Sequence, residues 1–127
     1  MSTINNDQGK ALLEVKNLNV AYGKVDALID FNMRVNEGQI VSVVGPNGAG
    51  KTTLLSAIMG VLSSKGNVDF DGEVGQCPQI ERMVVRGLGL VPEKRELFSS
   101  MSIEDNLMLG AFQRYRHGDR GYKDSLE

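Results

Sequence analysis

Apolar positions recur along this chain at two spacings, and each spacing predicts an element. From Leu12 to Val20 the apolar residues fall at Leu13 and Val15, then at Leu18 and Val20. This near-alternation predicts a strand with a bulge or break at Lys16-Asn17. Ala21-Tyr22-Gly23-Lys24 reads as a turn, after which Leu28, Phe31, Met33 and Val35 mark a second alternating strand within Ala27–Val35. Asn36-Glu37-Gly38-Gln39 forms the next turn. Gln39 to Val44 is rich in β-branched residues and predicts a short buried strand. The period then changes: Leu54, Leu55, Ile58 and Met59 lie at helical spacing, and Gly60 supplies a stop.

The second part of the chain is patterned less deeply. Ser63-Ser64-Lys65-Gly66 breaks the helix, and Asn67–Phe70 predicts a short strand running into an Asp71-Gly72 turn. Pro78 is placed to open a helix that runs to about Arg86, with Gly87 as its cap. Leu88–Val91 predicts a second short buried strand ended by Pro92, and Glu93 to Phe98 a polar loop. Ser102-Ile103-Glu104-Asp105 has the form of a capping box, followed by an apolar stripe of Ile103, Leu107 and Ala111 with Met108 and Phe112. Residues 1–10 are polar and predict a disordered leader, leaving 11–127 as the folded part. Strands alternating with helices imply an α/β fold.

Composition narrows the class. The chain has 127 residues, 41% hydrophobic and 24% charged, as expected of one small globular domain or part of a larger one. A net charge of −2 gives no bulk attraction to nucleic acid. The cluster Arg114, Arg116, Arg120 and Lys123 is interrupted by acids and reads as a solvated face. No run approaches 18 apolar residues, and the first ten lack an apolar signal core, which argues against a membrane span and against export. The lone Cys77 fits a reducing cytoplasm, and the single His117 reads as a loop histidine.

The chemistry concentrates in Gly45-Pro46-Asn47-Gly48-Ala49-Gly50-Lys51-Thr52, followed by Thr53. It fits G-x-x-x-x-G-K-[ST], the phosphate-binding (Walker A) loop, and lies between a predicted strand and a predicted helix as that loop requires. Backbone N–H groups and the positive end of the helix dipole converge there on an anion. Gly45, Gly48 and Gly50 are expected to allow positive φ and close approach of phosphate oxygens. Lys51 supplies a cation for the β- and γ-phosphates, and the Thr52 hydroxyl a ligand for Mg²⁺. With 15 glycines in the chain, a chance match has odds of only about 1%.

The wider context resembles the ATP-binding subunits of ABC transporters. The resemblance is carried by Tyr22-Gly23, Gly38-Gln39-Ile40-Val41, the loop and its Leu54-Leu55 continuation, and Gly66–Gly72. The run Gly87–Phe98 followed by Met101–Leu107 is similar to the subunits of branched-chain amino acid importers. The resemblance covers about residues 11–117 and implies a P-loop NTPase fold: antiparallel edge strands beside a partly parallel core sheet. It implies that Tyr22 stacks on adenine, for which a flat apolar ring near the phosphates suffices. Glu93 stands where most such subunits carry a glutamine touching Mg²⁺ and the attacking water; here a Mg²⁺ contact and a solvated loop carboxylate remain as alternatives. ATP and Mg²⁺ are the implied ligands. Transmembrane permease subunits and a second ATP-binding subunit, paired head to tail, are the implied partners, with the protein peripheral on the inner face of the membrane. The stripe at Ile103, Leu107 and Ala111 fits either a permease contact or a core.

The family pattern is present only in its first half. A Leu-Ser-Gly-Gly-Gln-like signature, an apolar run ending in Asp-Glu and a switch histidine are all missing from the 127 residues. The expectation is therefore an N-terminal portion that grips nucleotide and hydrolyses it poorly by itself, or else a truncated or degenerate nucleotide-binding module without hydrolysis.

Overall fold

The structure, a computed structural model, describes residues 9–75, 78–94, 97–116 and 118. Cys77, His117, Arg120, Lys123 and most of the expected leader lie outside them. Two compact units divide the chain, Met1–Leu90 and Val91–Glu127.

The first unit is an antiparallel sheet with helices. β1 (Ala11–Tyr22) pairs with β2 (Val25–Asn36) on one side and β3 (Lys65–Phe70) on the other, and β4 (Glu73–Gly75) extends the sheet beyond β3, giving the order β2-β1-β3-β4. The slip read at Lys16-Asn17 is a bulge. Asn17 takes φ 51, and the register shifts between Val15 and Leu18 against β2 and between Lys16 and Asn19 against β3. The extra residue lets Leu13, Val15, Leu18 and Val20 all face the core despite the broken alternation. β2 carries a matching irregularity at Asp30, φ 47. The two bulges are cross-linked: Asn17 Nδ2 donates to Asp30 Oδ1 at 2.6 Å, Asn17 N to Asn32 Oδ1 at 2.8 Å, and Asp30 N to Asn19 Oδ1 at 3.0 Å. Polar side chains thereby satisfy backbone groups that the bulges remove from the ladder.

The hairpin turn at Asp71-Gly72 has positive φ at both residues, 49° and 82°, as a two-residue turn matched to strand twist requires. α1 (Lys51–Ile58) contributes Leu54, Ala57 and Ile58 to the core formed by β1, β2 and β3. It ends in a Schellman arrangement, with Gly60 N donating to Ala57 O at 3.1 Å and Val61 N to Ser56 O at 2.9 Å. Gly60 has φ 79, and a Cβ there would collide with the Pro78 carbonyl. α2 (Ile80–Val85) starts two residues after Pro78 and closes in the same way through Gly87 N to Val84 O and Leu88 N to Met83 O, both 3.0 Å. Met83 joins the core.

Two expected strands do not form. In Gln39–Val44 only Val44 makes an isolated bridge, and Leu88–Val91 has no regular structure; Ile40 and Val91 are 95% and 91% exposed. Among the described residues the sheet's ladders run among β1–β4. β-branched content favours an extended backbone, but a buried parallel strand also needs hydrogen-bonded neighbours along its edges. The described residues thus build the antiparallel edge portion of the expected architecture.

In the second unit, α3 (Ile103–Gly110) and α4 (Phe112–Arg116) bury no residue. The stripe at Ile103, Leu107, Met108 and Phe112 is exposed. Ser102 caps α3, its Oγ accepting from Asp105 N at 3.1 Å and donating to Asp105 Oδ2 at 2.7 Å.

Candidate nucleotide site

The loop between Val44 and α1 is a tight turn feeding directly into a helix. Ala49 N donates to Pro46 O at 3.1 Å, closing a turn over Asn47 and Gly48. Gly48 and Gly50 both take φ 85, whereas Gly45 does not have positive φ. The expectation for Gly45 is corrected: its bare Cα matters for space, since a Cβ would sit 3.1 Å from Ala49 Cβ. At Gly50 conformation and space act together, because a Cβ would lie 2.9 Å from both the Ala27 carbonyl oxygen and Leu28 Cδ2. β2 therefore forms the floor on which the loop's last glycine rests, a support that motif spacing alone does not reveal.

Gly50 is the N-cap of α1 in a left-handed conformation; it offers no side chain to the helix, and the first turn holds no acid. Leu54 N is the first to find the helical pattern, donating to Gly50 O at 2.8 Å. The N–H groups of the preceding turn are the ones a helix leaves without an intrahelical acceptor. Lys51 Nζ folds back, donating to Gly45 O and Pro46 O at 2.7 Å each. Its charge is thereby held at the loop while the ammonium bridges two carbonyls near the loop's start. The donor set of glycine backbone, open helix N-terminus and ammonium suits polyphosphate.

Tyr22 closes β1 and pairs with Val25 across the Gly23-Lys24 turn. The residue is 52% exposed, and its hydroxyl lies 3.3 Å from Thr53 Oγ1 on the first turn of α1. Residues 31 positions apart are thus brought together at one end of the helix. Pro46, Asn47, Gly48 and Thr52 are exposed, and Gly45, Ala49, Gly50, Lys51 and Thr53 half-buried. Glu93 is exposed and belongs to the second unit. Groups of three or more His, Cys, Asp or Glu that could hold a metal are absent among the described residues. No helix among the described residues is long and apolar enough to cross a membrane.

The chain is similar in sequence and in fold to known proteins. The sequence model described as ABC transporter matches residues 28–126. The high-affinity branched-chain amino acid transport ATP-binding protein BraG of Pseudomonas aeruginosa PAO1 is 34% identical over 102 residues, 80% of this chain and 44% of that protein. The xylose import ATP-binding protein XylG of Shigella flexneri is 33% identical over 102 residues, 78% of this chain and 20% of the relative. The chain therefore spans less than half the length of either. Among solved structures, an ATP-binding subunit of an ABC transporter aligns with TM-score 0.68 and 29% identity over 80% of this chain and 42% of that one. A nucleotide-free ATP-binding cassette aligns with TM-score 0.58 and shares the fold.

Proposed function

Because the chain belongs to the ABC transporter family, we propose that it forms the nucleotide-gripping part of an importer's ATP-binding subunit, which couples ATP binding and hydrolysis to solute uptake. The observation that carries this reading is the Gly45–Thr52 loop opening onto an uncapped α1, with Lys51 bonded across the loop's start. The loop and the first turn of α1 hold the phosphates, Tyr22 receives the adenine ring, and Thr52 ligates Mg²⁺, with Glu93 as a second candidate ligand. Bound Mg²⁺ offsets charge that develops on the phosphates. Phosphoryl transfer to water depends mainly on positioning and charge neutralisation, and the residues described here contribute the first of these together with one cation.

The solute we propose is a branched-chain amino acid, after the similarity to BraG. Sugar import is the second reading, favoured by the similarity to XylG at nearly equal identity. Permease subunits and a second ATP-binding subunit complete the assembly, and the protein sits on the cytoplasmic face of the membrane. A nucleotide-binding module without hydrolysis is the alternative from another class. Isothermal titration with MgATP tests the site: binding is expected and is expected to fall at least tenfold in Lys51→Ala. Equal affinity in the two proteins would overturn it. Uptake of labelled leucine and xylose by cells lacking the gene separates the two solutes.

A further inference from the structure

The contact between Tyr22 and Thr53 gives Thr53 a task that the loop motif does not contain. Tyr22 is fixed at its backbone, since it ends β1 and pairs with Val25 across a two-residue turn. The residue is half exposed and outside the core, so packing holds its ring only in part. An aromatic side chain in that position must be immobilised when a ligand stacks on it, and the lost rotamer freedom weakens binding about two- to tenfold. Thr53 is the third residue of α1, so its side chain is carried by the first helical turn, which follows the loop directly. The two hydroxyls are 3.3 Å apart. This is long for an O–H···O bond, so it biases the ring's position without clamping it.

We propose that Thr53 is the positioning residue for Tyr22: its hydroxyl biases the ring toward one position beside the phosphate loop and so favours a ligand carrying a base over a bare polyphosphate. The proposal rests on the reading of Tyr22 as the base-stacking residue. It differs from a role for Thr53 as a phosphate contact, which would affect ATP and polyphosphate alike. It also differs from a packing role, which the hydroxyl-free isostere Val would preserve.

The test uses the full chain and two probes, ATP and inorganic tripolyphosphate, with calorimetric affinities for the parent, Thr53→Val, Thr53→Ser and Tyr22→Phe. The ratio of ATP to tripolyphosphate affinity is expected to fall about two- to tenfold in Thr53→Val and in Tyr22→Phe, and to return in Thr53→Ser. In the Tyr22→Phe background, adding Thr53→Val should leave the ratio where it was. An unchanged ratio in Thr53→Val, failure of Ser to restore it, or a further fall in the double variant would each overturn the proposal. A second readout is independent of ligand. With ring-labelled tyrosine, the Tyr22 NMR signals of the free chain should move in Thr53→Val and not in Thr53→Ser. If the chain binds neither probe, the nucleotide-site reading fails, and unmoved ring signals in Thr53→Val would separately overturn the positioning role. Should Thr53→Val not fold, Tyr22→Phe carries the affinity test and Thr53→Ala the spectroscopic one.

Discussion

α1 and α3 are both eight-residue helices with apolar residues at helical spacing, yet they differ at both their faces and their first turns. α1 lays Leu54, Ala57 and Ile58 into the core of the sheet, whereas α3 buries nothing. α3 fills its own N-terminus with the Ser102 hydroxyl and the acids Glu104 and Asp105; α1 begins at a glycine with no cap and no acid. A helix normally satisfies its first N–H groups with a nearby side chain. One that does not, and places a lysine there instead, keeps its positive end available to an external anion. The contrast teaches that the site is defined as much by the capping residues left out as by those present. Burial against the sheet supplies the stability that α1 forgoes at its cap.

The face of each helix provides the largest expected effect. Leu54 is fully buried, so Leu54→Ala removes a core side chain and leaves a cavity, costing about 3 kcal/mol. Leu107 is 50% exposed, and Leu107→Ala should change stability by less than about 0.5 kcal/mol. Urea melts of the two variants measure both. Similar losses would show that α3 is packed as tightly as α1 and would remove half of the comparison.

The first turn comes next. Thr52→Glu gives α1 the acid that α3 already has. Glu near a helix N-terminus favours the helix by about 0.3–1 kcal/mol, so the fold should be retained. The same carboxylate competes with phosphate for the first-turn N–H groups and the Lys51 ammonium. MgATP affinity is expected to fall by at least tenfold, about 1.4 kcal/mol, in a titration where the melting curve is unchanged or shifted upward. Undiminished affinity would mean that the open N-terminus of α1 is not what binds the nucleotide.

The sequence showed these elements unequally, and the reason is physical. Whatever is specified locally could be read: the bulge at Lys16-Asn17 from a break in alternation, the turn at Asp71-Gly72 from its dipeptide, the cap at Ser102 from its spacing to Asp105, and the loop from its glycines and Lys51. Gln39–Val44 and Leu88–Val91 do not form the buried strands their patterns predict, because β-branched runs encode an extended backbone and not the neighbour that must hydrogen-bond to it. The stripe on α3 was likewise visible as a pattern, although periodicity does not say what covers it. Within the site, Tyr22 and Thr53 could each be singled out from the sequence, one by the turn after the first strand and one by the loop motif. Their approach to each other, and the way Ala27 and Leu28 support Gly50, depend on pairings across many residues that only the fold brings together.

The cap of α3 is the smallest lever on the comparison and tests its other side. Ser102 Oγ accepts from Asp105 N and donates to Asp105 Oδ2, while the Asn106 side chain donates to Ser102 O at 2.9 Å and to Phe98 O at 3.1 Å. Ser102→Ala removes the first two bonds and leaves Asn106 in place. Losing an N-cap hydroxyl costs about 1 kcal/mol at most hosts. Since α3 has no buried face to compensate, the loss should appear locally, as faster amide exchange over Ile103–Leu107, with exchange in α1 unchanged. Ser102→Asp should restore protection, because a carboxylate accepts the same N–H and favours the positive helix end. If Ser102→Ala left exchange in α3 as slow as before, α3 would be held by something other than its cap. The contrast with α1, stabilised by its buried face and open at its N-terminus, would then lie only in the acids of the first turn.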